Sequence, residues 1–497
     1  MIRKVLIANR GEIAVRIIRA CKELGIATVA VYSTIDRPSL WVQLADESVC
    51  IGEPPPGQSY LNMDLIIETA KKMGAEAIHP GYGFLAENSD FAQKCEEASI
   101  IFVGPSSKAL RLVGDKVAAR GTMRKADVPI IPGMLAVGKG IEDFQEITAQ
   151  VGYPVLVKAS LGGGGKGMRI VKNEKELVDA IAAGRREAKS AFGDESVYIE
   201  KYIEKPRHIE FQVLADKFGN IIHLFERECS IQRRYQKIIE ETPSLTLTHE
   251  LRNRMGEVAK RVIKAAGYTN AGTVEFLLDR DKNFYFLEVN ARIQVEHPIT
   301  ELTTGVDLVR QQLLIASGEK LALKQEGVSQ RGHAIEARIY AEDPTQDFLP
   351  SPGKIHWLKE PQGPGVRVDS GIYSGWEVTP HYDPILSKLI VWGETREFAR
   401  KRLIQALKDY VILGIPTTVG FLIDVIEHPK FAEGETYTNF ISENMGTWKP
   451  KDSALEEALI AAAIVSSKTP APSKIVTAQT TSPWQELGEW EVCSRGV

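Results

Sequence analysis

The sequence predicts an α/β region followed by α+β regions, and three observations carry that prediction. Strand-like and helix-like stretches alternate through residues 4–103, strands dominate residues 208–290 around one helical stretch, and short strands with Pro/Gly turns fill residues 332–445. Alternation favours a parallel sheet, whereas runs of strands favour antiparallel pairing.

Residues 4–8 read as a buried strand, 13–24 as a helix closed by Gly25, and 27–32 as a second strand, a βαβ opening. A helix near residues 64–73 and strands at 77–79 and 100–103 continue the pattern, so residues 1–112 are expected to form a doubly wound domain. After the turn-rich stretch 129–140, a strand at 154–160 runs into a glycine run and a second strand at 168–171. Asn173 with Glu176 three residues later gives a capping-box-like start to a helix reaching about residue 191, completing a small lid over residues 132–203. Strands at 208–215, 220–225, 273–278 and 284–289, with a helix at 249–266, place an antiparallel core within residues 113–330. A third core is expected at 331–446, with a helix at 396–410, followed by a 447–497 tail of one Ala-rich helix and a linker.

At 497 residues the chain is too long for one core, so about two to four domains are expected. A net charge of -4 supplies no basic field, which argues against a nucleic-acid partner. Five scattered cysteines without a Cys-x-x-Cys spacing fit a reducing, cytoplasmic setting. The short apolar run at the N-terminus reads as a strand rather than a signal peptide, and no run of about 18 apolar residues offers a membrane span.

The run Lys158-Ala159-Ser160-Leu161-Gly162-Gly163-Gly164-Gly165-Lys166-Gly167 can close backbone amides on phosphate oxygens. It lacks the Ser or Thr and the helix that follow a Walker lysine, so it reads as a flap over a nucleotide or as a flexible turn. The loop His79-Pro80-Gly81-Tyr82-Gly83-Phe84-Leu85-Ala86-Glu87-Asn88 follows a strand at the ligand-binding edge of such sheets, as a site or as a plain turn. A hairpin symmetric about Asp281-Lys282 would set Glu275 opposite Glu288 with Asn290 on the same face, three oxygen ligands suited to Mg²⁺ or a solvated face. If residues 292–296 are extended, Arg292, Gln294 and Glu296 share a side, as an oxyanion site with a base or as a simple Arg-Glu pair. The stretch 227–237 reads as a nucleic-acid patch, a solvated loop, or a local anion contact through Lys237. Cys229 reads as a packing residue rather than a nucleophile.

Taken together, Ile7-Ala8-Asn9-Arg10-Gly11-Glu12-Ile13-Ala14, His79-Pro80-Gly81-Tyr82-Gly83-Phe84-Leu85, the glycine run, Glu226-Arg227-Glu228-Cys229-Ser230-Ile231-Gln232-Arg233-Arg234 and Arg292-Ile293-Gln294-Val295-Glu296-His297-Pro298 resemble the biotin carboxylase family over about residues 1–446. The resemblance implies an ATP-grasp fold behind a Rossmann-like domain, with a barrel-like C-terminal domain. It implies a ligase that uses ATP and bicarbonate, through carboxyphosphate, to carboxylate biotin on a separate carrier protein. ATP would meet Lys116, Lys158, Gly164, Gly165, Glu200, Lys201, Ile203, His208, Gln232, Tyr235, Glu275 and Glu288. Glu275, Glu288 and Asn290 would carry Mg²⁺ or Mn²⁺; Lys237, Arg292, Gln294 and the Val295 backbone would hold bicarbonate, with Glu296 as its base. Gly83 and Arg338 would meet biotin, Arg338 stabilising its enolate.

Two positions depart from the family pattern: Tyr235 stands where His is usual, and Leu161 where a glycine is usual. No Met-Lys-Met biotin-attachment sequence occurs, so the biotin carboxyl carrier protein and the carboxyltransferase are expected on other chains, with this chain a homodimer. The segments Gly365-Val366-Arg367-Val368-Asp369-Ser370-Gly371 and His381-Tyr382-Asp383-Pro384-Ile385-Leu386-Ser387-Lys388 are similar to those of acyl-CoA carboxylases and favour an acyl-CoA acceptor, while a split pyruvate carboxylase also suits the length. The alternatives are a carbamoyl-phosphate synthetase-like ligase and a nucleotide-binding protein without catalytic turnover; the His-Pro-Gly-Tyr-Gly loop and the Arg338 segment argue against the first, and the acidic and basic site residues against the second.

Overall fold

The opening alternation folds into a parallel sheet. In the computed structural model, which describes residues 1–134, 140–159, 168–193 and 195–450, β1 (Lys4–Ile7), β2 (Ala27–Tyr32), β3 (Glu47–Cys50), β4 (Ala77–His79) and β5 (Ile101–Phe102) lie in the order β3-β2-β1-β4-β5. Val5, Leu6, Ile7, Val29, Ala30 and Val31 are fully buried, as parallel strands covered on both faces require. The chain reverses direction across the sheet between β1 and β4, so the loops after these two strands meet. Asn9 Nδ2 donates to the carbonyls of Pro80 and Tyr82, each at 2.7 Å. Gly81 has φ +62°, and a Cβ there would stand 2.8 Å from that same Nδ2, so both the turn and the close approach need glycine.

The lid is an antiparallel sheet of β6 (Gly133–Met134), β7 (Val155–Ala159), β8 (Arg169–Val171) and β9 (Val197–Lys201), ordered β6-β9-β7-β8, with the helix Glu174–Phe192 packed on it through Leu177 and Ile181. The capping box expected at Asn173 closes differently. The Asn173 side chain accepts from the Lys175 N–H, and Glu176 reaches back to the Lys172 N–H instead of the cap's own. The glycine run from Ser160 to Gly167, the segment 135–139 and the tail 451–497 lie outside the described residues, and with them Gly164, Gly165, Leu161 and the tail helix.

Residues 207–393 build one eight-stranded antiparallel sheet: β14 (Phe284–Asn290), β13 (Asn270–Leu278), β10 (Arg207–Ala215), β11 (Ile221–Arg233), β12 (Gln236–Thr242), β15 (His333–Tyr340), then Ile385–Gly393 and Val366–Ser370. A core cluster lies around Leu389, Val391, Leu403 and Phe421; besides three two-stranded sheets within residues 342–413, its strands belong to the eight-stranded sheet. β15 pairs with β12 from Ile239↔Ala337 to Thr242↔Ala334, so hydrogen bonding runs unbroken across the division expected at residue 330. A second difference lies at 227–237. The stretch is part of the β11–β12 hairpin, with the Arg227 side chain fully buried rather than solvated.

The β13–β14 register sets Glu275 opposite Glu288, as symmetry about Asp281-Lys282 predicts, but by a different route. Near the turn the pairs are Leu278↔Phe284 and Phe276↔Phe286, centred on Asp281, and a bulge after Phe276 restores the predicted pairing.

His79, at the end of β4, is fully buried with Nδ1 accepting from the Gly81 N–H. Burial lowers its pKa to about 3. The unfolded chain therefore takes a proton near the ordinary histidine value while the fold does not, and stability is lost as pH falls from about 6.5 towards 3, with a slope approaching about 1.4 kcal/mol per pH unit from this group. Thermal melts at stepped pH should show the slope, and His79→Gln should flatten it.

Candidate active site

The centre of the eight-stranded sheet carries an unusual density of buried charge. Lys237, on β12, extends its ammonium to Glu210 Oε2 at 2.5 Å, Glu275 Oε1 at 2.7 Å and Glu296 Oε1 at 2.8 Å. Strand register explains the convergence: Glu210 on β10 pairs directly with Glu275 on β13, so their side chains leave the sheet on one face. Carboxylates this close repel unless cations lie between them. Arg227 supplies another, with Nε 2.5 Å from Glu210, while its remaining donors reach Gln212, Thr273 and Thr300. His208 Nε2 lies 3.2 Å from Glu275 Oε2. Burial opposes its charge, but Glu275 and Glu210 together outweigh burial and raise its pKa to about 9. Arg338, on β15, completes the set with Nε 2.6 Å from Glu240 and Nη2 3.0 Å from Glu296.

Four carboxylates (Glu210, Glu240, Glu275, Glu296) thus face four cations (His208, Arg227, Lys237, Arg338). Only a near-neutral cluster survives such burial. Burial and the charge of Glu210 oppose ionisation of Glu296, but Lys237, Arg338 and Arg227 outweigh them and hold its pKa below the usual carboxylate value. Cys229 Sγ lies 3.8 Å from Glu296, and burial pushes its thiol far above the ordinary range, in keeping with a packing role.

The segment from Arg292 to Glu296 is not the extended strand the alternation argument assumed. It bends, and its groups are sorted to different partners. Arg292 Nε donates to Glu87 at 3.0 Å, Nη1 to Gln294 Oε1 at 3.0 Å and Nη2 to Asn290 Oδ1 at 3.2 Å. Glu296 turns instead to Lys237 and Arg338, so the simple Arg292–Glu296 pair is not what holds this segment. Gln294 Nε2 sits 3.4 Å from Glu275.

Towards the lid, Lys158 Nζ is 2.7 Å from Glu200, which also pairs with Arg120. The Lys201 ammonium is taken up by the Gly152 and Tyr153 carbonyls at 3.0 Å each, and its backbone N–H donates to Pro132 O at 2.8 Å. Lys116, at the start of the helix Lys116–Lys125, approaches Glu288 at 3.8 Å. Burial and the neighbouring Glu275 raise the Glu288 pKa, and Asn290 Nδ2 is buried without a hydrogen-bond partner. Glu275, Glu288 and Asn290 share one face of the hairpin; Lys237 and His208 already hold Glu275 ionised against its burial, so a divalent cation placed among these oxygens would chiefly relieve Glu288. Gln232 is buried with its amide on the Cys229 carbonyl. Tyr235 is 63% exposed at the β11–β12 turn, where it and Arg234 both adopt left-handed φ, and it lies near enough to Tyr202 to help raise that phenol's pKa, after burial. Gly83 is exposed on the loop after β4, a few residues from Glu87.

Reasoning from sequence passed over Glu87, Glu210, Arg227 and Glu240. The signal for one of them was an acid between apolar strand residues, Glu210 within Ile209-Glu210-Phe211, whereas Arg227 stands between two glutamates and gives no such signal.

Residues 1–110 match the family described as biotin carboxylase, N-terminal domain, and residues 336–443 the biotin carboxylase C-terminal domain. Residues 115–324 between them match the carbamoyl-phosphate synthase L chain, ATP binding domain. A biotin carboxylase of Nostoc sp. is 54% identical over 440 residues, covering 88% of this chain and 98% of the relative. The chain belongs to the biotin carboxylase family. Another relative, a pyruvate carboxylase subunit of Methanothermobacter thermautotrophicus, is 54% identical over 446 residues, 89% of this chain and 90% of its own length. Among solved structures, the biotin carboxylase domain dimer of Hydrogenobacter thermophilus 2-oxoglutarate carboxylase, in complex with MgADP, ADP and bicarbonate, superposes with a TM-score of 0.85 at 50% identity, over 90% of this chain and 98% of that one. The ATP-grasp fold of this family is the one described above, its nucleotide-binding part lying between the parallel sheet and the C-terminal core.

Removing Arg227 leaves Glu210 only the Lys237 ammonium, which Glu275 and Glu296 also share. Arg227→Met should cost about 3–5 kcal/mol, the range for breaking a buried ion pair, read as a lower thermal midpoint. Adding Glu210→Gln should recover part of the loss.

Proposed function

We propose that this chain is the biotin carboxylase component of a multi-chain carboxylase, spending ATP to join bicarbonate to biotin carried on a separate protein. The observation that carries the reading is Glu296, kept ionised between Lys237 and Arg338 and one bend away from the Arg292 fork. A base held in its charged form beside an oxyanion-binding guanidinium is what deprotonation of bicarbonate requires.

In this reading Lys237, Arg292, Gln294 and the Val295 backbone fix bicarbonate, and Glu296 takes its proton as a bicarbonate oxygen attacks the γ-phosphate and the bond to the departing ADP breaks, leaving carboxyphosphate. Lys116, Lys158 and the glycine flap with Gly164 and Gly165 hold the phosphates. The strand from Glu200 to Ile203 borders the adenine, with His208, Gln232 and Tyr235 nearby. Glu275, Glu288 and Asn290 would hold Mg²⁺ or Mn²⁺, which when bound neutralises phosphate charge. Positioning and charge neutralisation are most of what phosphoryl transfer asks of a protein. Carboxyphosphate then yields CO₂ and phosphate, the phosphate takes the ureido proton, and the biotin nitrogen attacks CO₂. Arg338 stabilises the enolate formed at the ureido oxygen, with Gly83 beside the ring.

The flanking biotin carboxylase domains support biotin rather than ammonia as the acceptor of the carboxyl group, because the carbamoyl-phosphate synthase likeness is confined to residues 115–324. Among the described residues no helix is long and apolar enough to cross a membrane; a cytoplasmic location is part of the proposal. A homodimer and a separate biotin carrier complete the proposal.

The test is ATP cleavage in bicarbonate with and without free biotin. Strong biotin stimulation is expected; stimulation by ammonia alone would sink the reading. Glu296→Gln should lower kcat by about 10²–10⁴-fold, the span for losing a general base, with nucleotide binding retained in calorimetry.

A further inference from the structure

Lys388 belongs to none of the groups assigned above, yet its side chain is fully buried against them. It lies on the strand Ile385–Gly393, directly across from Arg338 on one side and Asp369 on the other. Its ammonium donates to the Val295 carbonyl at 2.9 Å, with Glu12 Oε2 at 3.2 Å and Asp369 Oδ2 at 3.7 Å. Glu12 begins the helix after β1, and its other oxygen accepts from the Tyr82 hydroxyl of the loop after β4. One ammonium therefore ties three separate parts of the chain to one peptide carbonyl.

The carbonyls on either side show what that bond does. Ile293 O accepts from Arg292 Nη1 at 3.1 Å, Gln294 O faces His297 Nδ1 at 2.7 Å, and Val295 O is held by Lys388. Three successive carbonyls are each drawn to a side chain of their own, which fixes the three peptide planes leading from Ile293 to Glu296. The plane held by Lys388 joins Val295 to Glu296. Its rotation sets where Glu296 leaves the backbone and so how its carboxylate reaches between Lys237 and Arg338.

We propose that Lys388 is a positioning residue for bicarbonate activation, its ammonium locking the Val295–Glu296 peptide so that the Glu296 carboxylate meets the anion in a fixed orientation. The inference rests on the bicarbonate roles proposed above. It does not require Lys388 to touch any substrate. A misplaced reacting group about 1 Å from its proper position costs on the order of 100-fold in rate, and a released peptide plane permits such a shift.

Lys388→Met leaves Glu12 and Asp369 beside an apolar chain and is expected to melt early. The double variant Glu12→Gln/Lys388→Met removes both members of the main pair, while Asp369 keeps Arg367 at 2.8 Å. In the double variant, kcat/KM for bicarbonate should fall about 100-fold, while calorimetry with ADP and Mg²⁺ gives the unaltered affinity. Bicarbonate kinetics equal to those of the unmodified protein would overturn the proposal, as would parallel losses in bicarbonate kinetics and nucleotide affinity, which mark general disruption. Arg292→Ala run alongside separates the two levels. If it too leaves bicarbonate dependence unchanged, the bicarbonate site itself is misassigned; if it alone weakens that dependence, the site stands and Lys388 has no positioning role.

Discussion

The arrangement depends on one ammonium shared by three carboxylates. Lys237 lies where β10, β13 and the bend after β14 bring Glu210, Glu275 and Glu296 together, and without a cation there those strands could not present their acidic faces to a common interior. Everything around it compensates. Arg227 balances Glu210, His208 balances Glu275, and Arg338 balances Glu296 together with Glu240. The sheet is continuous for the same reason: Arg338 reaches the cluster only because β15 pairs with β12 instead of starting a separate layer.

A cluster of this kind is poor at stabilising a protein and good at holding a geometry. Paired charges taken from water return little net energy, whereas a missing partner is expensive. Each side chain is thereby confined to one orientation by neighbours that cannot tolerate its departure. Glu296 shows the benefit, since it is fully buried yet kept ionised. Arg292 is held differently, by the half-exposed Glu87 from the loop after β4, so one side of the bend at 292–296 is braced by the parallel sheet and the other by the antiparallel one.

Much of this was legible in the sequence, and the failures have physical causes. The parallel sheet followed from uninterrupted apolar strands separated by amphipathic helices. The pairing of Glu275 with Glu288 was anticipated, but by a symmetry that the chain does not keep near the turn. A bulge is a local backbone event with no side-chain signature in Phe286-Leu287-Glu288. The bend at 292–296 was misjudged because alternation marks a strand only when a partner strand is present, and here hydrogen bonds to Glu87, Lys237 and Arg338 replace one. The β11–β12 hairpin was hidden by its own charges. Arg227, Glu228 and Lys237 imitate a solvated loop unless their partners, far away in sequence, are already known. Glu210 and Glu240 were missed for the same reason, since an acid in a strand acquires its role only from the cation opposite.

The contact between Lys388 and Val295 has a bearing on how the protein is made. Glu12, Val295 and Lys388 stand near the start, past the middle and close to the end of the described chain, so this knot has a very high contact order. A growing polypeptide can complete the parallel sheet and fold most of the acidic strands while the strand Ile385–Gly393 is still unsynthesised. Until that strand docks, the Val295–Glu296 peptide lacks its anchor, and the reaction centre is among the last parts of the molecule to become rigid.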